Sequence, residues 1–442
     1  MKKILSLTAL LSALALGSCN KEYLNPSTAS QQQAVSTPDG LIALCNGLQF
    51  RYSAGGLLSV LYNTVAAGGL SAGELRVINV GNIEEFNVGQ GGSTLVNNNG
   101  VVRNLWTQCQ LVKANADLIL QNAAIVPVAG TRSAIVAYAS IFRALAVGTQ
   151  AQYFEQLPLA VQTNAPFVDR VAALRDAVAQ LETAATLLTA APVSADFNGK
   201  IVSGLDLPNT VQALIARYSL EIGDFDKALA AAGRVDLAKR SVFNYDDNAR
   251  NPLFETAFGN KNLFEPITTS LGLTGALAPE AGDLRLPFLL RLSPPPTSTQ
   301  NLGTGFYTAN SAPIPVYLPG EMLLIRAEAY ARKSDLPNAV IELNKVRTST
   351  AAATINSTGL PTAPPGAGLP PYAGPLTAPD VLTDILRNRS IELALQGFRL
   401  ADSRRFGRPG PGAPGTERNR NFYPYPRVER ENNPATPADP VL

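Results

Sequence analysis

The chain has 442 residues, 46% of them hydrophobic, with 36 basic and 34 acidic side chains and no histidine. That length and apolar content suffice for a large buried core, and the near-neutral charge offers no basic face to nucleic acid. Without imidazole there is no Ser-His-Asp or Cys-His machinery, no histidine metal site and no unaided base near neutrality. Hydrolysis by a carboxylate pair is the one common enzymatic route left open.

The N-terminus reads as a leader. Lys2 and Lys3 form a basic start, residues 4–16 an apolar stretch, and Leu16-Gly17-Ser18 leads into Cys19. A membrane-spanning helix needs ~20 apolar residues, so this segment is expected to be cleaved and not to anchor the chain by spanning. A cysteine directly after small residues at the end of such a stretch resembles the bacterial lipoprotein box. That resemblance implies a signal peptide over 1–18, a palmitate-type lipid on Cys19 and a tether over 19–37. Once Lys2 and Lys3 are removed, 34 basic residues face 34 acidic ones. No later stretch reads as long and apolar enough to cross a membrane.

From Pro38 the apolar residues fall at helical spacing, with Leu41, Leu44, Cys45 and Leu48 on one face. Residues 66–100 are rich in Gly and Asn, including Gly68-Gly69, Gly91-Gly92 and Asn97-Asn98-Asn99-Gly100, and predict turns and loops. Helical patterning returns at Val101 and continues to 235. Within it, Trp106 stands in phase with Leu105, Cys109 and Val112, which favours core packing over ligand stacking. Cys45 and Cys109 both lie in apolar helical settings, so buried free thiols are expected ahead of a disulfide.

Two later units repeat one another. Ala216 and Ala228 stand twelve positions apart, as do Ala327 and Ala339, and each pair flanks a polar turn, Gly223-Asp224 or Ser334-Asp335. Small residues where two helices cross, joined by such a turn, give tetratricopeptide-like hairpins. Between them, residues 244–319 form an irregular insertion marked by Pro294-Pro295-Pro296 and scattered Gly and Asn. A Pro/Gly-rich loop follows over 350–379, then a last helix over 380–405 closed by Gly407. The proline-punctuated tail is expected to lie extended on the surface. The expected fold class is therefore predominantly all-α. One domain is expected over 38–442, made of a helical part (38–235), the insertion (244–319) and a second helical part with the tail (320–442).

With both ends in view, the chain resembles the SusD/RagB family along essentially its whole length. The segments that carry the resemblance are Tyr23-Leu24-Asn25-Pro26 after the lipobox, Ala327-Glu328-Ala329-Tyr330 with Leu343-Asn344-Lys345-Val346-Arg347, and a C-terminal run. That run is Arg387-Asn388-Arg389, Glu392-Leu393-Ala394, Gly397-Phe398-Arg399-Leu400-Ala401-Asp402 and Arg404-Arg405-Phe406-Gly407. Tyr423-Pro424-Tyr425-Pro426 resembles the family's closing segment, while Gln396 and Leu400 depart from its Glu and aromatic. The resemblance implies a SusD-like superhelical body and a non-catalytic, nutrient-binding lipoprotein on the outer face of an outer membrane. It also implies delivery of an oligosaccharide or peptide to a TonB-dependent, SusC-like transporter, with no cofactor, metal or nucleic acid. The competing readings are a surface glycoside hydrolase with two carboxylates and a tetratricopeptide scaffold that binds no small ligand.

Glu392, Arg399, Asp402 and Arg404 sit at spacings that let guanidinium groups fork onto carboxylates and fix the last helix against the tail. Neighbouring arginines would hold Glu392 and Asp402 ionised, which argues against a catalytic pair. Ligand contacts are expected instead in the irregular segments, where flat apolar faces lie beside planar hydrogen-bonding groups. The candidates are Phe86, Asn98 and Asn99 in the first loop region, and Tyr245, Arg285, Phe306 and Tyr307 in the insertion.

Overall fold

The computed structural model describes residues 31–259, 262–292, 302–303 and 305–441. Cys19, most of the expected tether and Pro294-Pro295-Pro296 lie outside them. The fold is predominantly all-α, as the periodicity predicts. Its main helices are α1 (Pro38–Ser53), α2 (Val60–Ser71), α3 (Ile83–Gln90), α4 (Gly100–Asn122), α5 (Ala129–Tyr153) and α6 (Arg170–Ala190). They continue with α7 (Leu207–Glu221), α8 (Phe225–Arg234), α9 (Pro319–Arg332), α10 (Leu336–Arg347), α11 (Ala378–Glu392) and α12 (Arg399–Arg405).

Helix starts follow from side chains that accept the first free amides. Thr37 accepts from Gly40 at 3.1 Å ahead of Pro38 in the first turn of α1. The two repeated units form hairpins α7/α8 and α9/α10 with matching joints. Gly223 and Ser334 both take the left-handed conformation, at φ 80° and 64°. One residue later, Asp224 accepts from the Lys227 amide at 3.1 Å and Asp335 from the Asn338 amide at 3.3 Å. Ala216, Ala228, Ala327 and Ala339 are all fully buried, which is what a close helix crossing requires. From α4 to α10, the main helices pack in chain order, with α8 against α9 bridging the two hairpins across the insertion.

The core contains Trp106, which is 1% exposed and stacks on Phe167 with a 5.8 Å ring separation. Its Nε1 donates to Glu429 Oε2 at 2.9 Å. Cys45 and Cys109 are buried free thiols, and burial pushes Cys109 up to about 12. Lys113 is also fully enclosed, its ammonium donating to the Pro158 carbonyl at 2.5 Å.

Four expectations need correction. Residues 66–100 are not wholly loop: Gly68 and Gly69 belong to α2, and α3 follows. A Cβ at Gly68 would fall 2.4 Å from the Gly397 carbonyl oxygen, so this glycine serves a close backbone crossing inside a helix. The last helix is broken between α11 and α12, where Leu395 and Gly397 turn left-handed at φ 62° and 85° to let that crossing form. The tail lies at the surface over most of its length but not throughout, for Tyr423 and Tyr425 are 0% and 1% exposed and reach into the aromatic core around Trp106 and Phe154. Helix α5 is long and apolar enough to span a membrane, yet it lies almost wholly inside the body, covered by α1, α4, α6 and α7.

The first loop region and the insertion meet directly. Leu75–Val77 pairs antiparallel with Phe264–Pro266, setting Arg76 opposite Glu265 with a 2.5 Å ion pair.

Candidate functional site

Most residues expected to touch ligand serve the interior. Tyr307 is 3% exposed, stacks on Phe258 at 5.2 Å with a 9° interplanar angle, and donates to the Leu395 carbonyl at 2.8 Å. Phe306 packs edge-on against Phe288, and Tyr245 donates to the Ser53 carbonyl at 3.0 Å. Arg285 is fully buried, forking onto Asp283 at 3.0 and 2.7 Å and reaching Glu392 at 3.3 Å. Asn99 caps α4: its Oδ1 accepts from Val101 and Val102, and its Nδ2 donates to the Glu84 carbonyl. These five are therefore corrected from ligand contacts to packing or capping residues. An irregular segment in a large protein still needs its own anchors, and aromatic rings are the strongest available. Asn98 is exposed and Phe86 half-buried.

The predicted charge cluster is also rearranged. Glu392 goes to Arg285, whereas Asp402 pairs with Arg389 at 2.8 Å and Arg405 at 2.5 Å. Arg399 reaches Glu74 at 3.2 Å. Arg404 meets no carboxylate among the described residues: it donates to the carbonyls of Asn421 and Gln152, both at 2.5 Å, and lies over the Phe422 ring. The break between α11 and α12 takes Glu392 out of helical register with the other three. Burial pushes both Glu392 and Asp402 up in pKa, outweighing Arg285 and Arg389, which reverses the expected direction.

The surface instead offers a bay beside the end of α1. It encloses about 540 Å³ and is lined by Phe50, Gly55, Gly56 and Leu57 on one side and Asp247, Asn248, Arg250, Glu255 and Thr256 on the other. Phe50 is 52% exposed, the one strongly exposed aromatic ring among the described residues. Its helical position explains this, since α1 buries Leu41, Cys45, Leu48 and Tyr52, and residue 50 points away from that stripe. Gly55 and Gly56 turn left-handed at φ 93° and 57°, bringing the chain back across the bay's edge.

The polar side is held by its own hydrogen bonds. Asp246 Oδ1 accepts from the amides of Asn248 and Ala249, both at 2.7 Å, and these bonds hold its carboxyl below the usual range. Arg250 Nε donates to the Asp247 carbonyl at 3.1 Å, and its Nη1 stands 3.6 Å from Glu255. Below, buried Asn251 accepts from the Leu253 and Phe254 amides and donates to the Ala312 carbonyl at 2.8 Å. Tyr245 ties this loop to the end of α1. The arrangement sets a flat apolar face opposite carboxylate, amide and guanidinium groups, the chemistry that matches a sugar ring's apolar face and its hydroxyls. Sequence reasoning missed Phe50, although its signal was present as an aromatic off the buried stripe of an amphipathic helix.

Residues 298–439 match the family model described as SusD family. The chain is similar to a solved SusD superfamily protein from Bacteroides thetaiotaomicron VPI-5482, with 15% identity, a TM-score of 0.69, and 92% of this chain and 100% of that one covered. It is similar to a SusD superfamily protein from Bacteroides fragilis at 16% identity and TM-score 0.66, covering 90% and 98%. A SusD-like carbohydrate-binding protein from Bacteroides vulgatus ATCC 8482 aligns at 15% identity and TM-score 0.65, covering 83% of each chain. No curated protein matches the chain.

Proposed function

We propose that the chain is a SusD/RagB-type protein, a reading supported by the family-model match over residues 298–439 and by the shared fold, and that it binds an oligosaccharide at the cell surface and delivers it to a TonB-dependent, SusC-like outer-membrane transporter. The observation that carries the ligand class is the bay, where exposed Phe50 faces Asp247, Asn248, Arg250 and Glu255. The structural relative from Bacteroides vulgatus described as carbohydrate-binding supports the same class. In this reading Phe50 stacks on one sugar face, the amide and charged groups take its hydroxyls, and the lipid on Cys19 keeps the protein at the membrane.

A glycan array probed with the mature protein tests the ligand, with binding expected to one family of neutral oligosaccharides. Binding to none would overturn the proposal in favour of a ligand-free scaffold. The bay also holds two carboxylates, Asp247 and Glu255, so the bound glycan should be incubated with the protein and assayed for new reducing ends. Their release would replace a binder with a glycoside hydrolase. Cys19→Ala should free the protein from membranes, and unchanged palmitate labelling of that variant would remove the anchor from the account.

A further inference from the structure

A second concavity lies apart from the bay and shares no residue with it. It encloses about 460 Å³ where the end of α2, Gly89 of α3, the turn at 272–277, helices α11 and α12, and the tail at 415–419 converge. One side is aliphatic, with Leu70, Leu273, Leu277 and Leu386; the other is polar, with Ser390, Ser403, Arg399, Thr416, Glu417 and Arg418; no aromatic ring among the described residues lines it.

The charges on its wall do not balance. Arg399 is matched by Glu74 at 3.2 Å and Glu417 by Arg408 at 2.5 Å. Arg418 forms no salt bridge among the described residues. Its Nε donates to Asn421 Oδ1 at 2.8 Å and its Nη1 to Ser403 Oγ at 3.0 Å and the Arg408 carbonyl at 2.6 Å, which fixes the guanidinium on neutral partners. Burial lowers the pKa of Arg418, and the neighbouring Glu417 carboxylate, itself bound to Arg408, offsets only part of that. A positioned guanidinium without an ion pair, in a cleft whose lining also includes four leucines, calls for an anion joined to an aliphatic body.

We propose that this cleft is a second ligand site, taking an aliphatic carboxylate whose acid group docks on Arg418 and whose chain lies along Leu70, Leu273, Leu277 and Leu386. The leucine wall separates this from a sugar acid, because a pyranose face is better served by an aromatic ring. Such a carboxylate is found at the C-terminus of a short peptide and on a branched short-chain acid. Both have the same recognition chemistry.

Calorimetry on the mature protein tests the assignment with three probes: 4-methylpentanoate, the dipeptide Ala-Leu, and Ala-Leu amide. The acids are expected to bind at least tenfold more tightly than the amide, with affinity falling in high salt. The ratio between the two acids identifies the source. Arg418→Gln should weaken the acids at least tenfold, but it also cuts contacts that order the tail. Gly89→Met provides the independent variant: Gly89 lines the cleft and a Cβ there has only Leu70 Cδ2 near it, at 3.9 Å, so the backbone accepts a side chain whose flexible end extends into the cleft. This variant should fold normally, lose the acids and keep oligosaccharide binding at the Phe50 bay. Equal binding of acid and amide, tighter binding of galacturonate than of either acid, or wild-type affinity in Gly89→Met would each overturn the proposal.

Discussion

The helical hairpins and the Phe50 bay are built by different rules. In α7/α8 and α9/α10 the small residues, the left-handed joint and the capping aspartate recur at one offset, and each contact joins residues close in sequence. The bay joins the end of α1 to a loop almost two hundred residues later through single bonds such as Tyr245 to Ser53. Local pattern thus determines the scaffold, while the binding surface is defined by which long-range anchors use up which side chains. Changes to the scaffold should therefore appear first as stability, and changes to the bay as affinity.

The largest expected effect tests the scaffold. Arg217 on α7 forks onto Glu321 on α9 at 2.6 and 2.7 Å with both side chains buried, joining the two hairpins across the insertion. Glu321→Ala leaves a buried guanidinium unpaired and should cost about 3–5 kcal/mol in denaturant unfolding. A paired Arg217→Met, Glu321→Leu replacement should recover most of that loss. Little change in the single variant would mean that the hairpins are not coupled through this pair.

Next in size is Lys113. Burial lowers its pKa to about 7, against about 10.4 in an unfolded chain. Between those values the unfolded state holds the proton and the native state does not, so stability rises with pH across that window. Below about 7 the ammonium is charged in both states and its burial penalty is fully present. Lys113→Met should therefore stabilise the protein by about 2–4 kcal/mol at pH 6, with the gain shrinking towards pH 10. A gain that stays constant with pH would show that packing, not charge, is responsible.

The smallest effect concerns the matching caps. Asp224→Ala and Asp335→Ala should each cost about 1 kcal/mol, and their near equality would confirm that the two joints are equivalent. A difference of several-fold would mean that tertiary contacts, not the repeated pattern, hold one of them.

The sequence made the helices legible from 101 to 235 and the two hairpins, because 3.6-residue spacing and capping residues act locally. It did not reveal α2 through Gly68-Gly69, since glycine reads as a loop former unless the partner backbone at Gly397 is known. The break before α12 was hidden for the same reason. Tyr245, Arg285, Phe306 and Tyr307 were assigned to ligand because they lie in an irregular insertion, but chain irregularity says nothing about which way a ring faces. Asn99 could have been read as a cap, standing just before the first apolar-periodic residue. Phe50 was detectable as the aromatic out of phase on α1, and it is the residue on which the binding proposal now rests.

The most direct test is calorimetry of Phe50→Ala against the oligosaccharide that the wild-type protein binds, alongside its unfolding curve. The account predicts a loss of about 1–3 kcal/mol in affinity with unchanged stability, since half of this ring already faces water. Unchanged affinity in a normally folded variant would contradict it and place the ligand elsewhere on the surface.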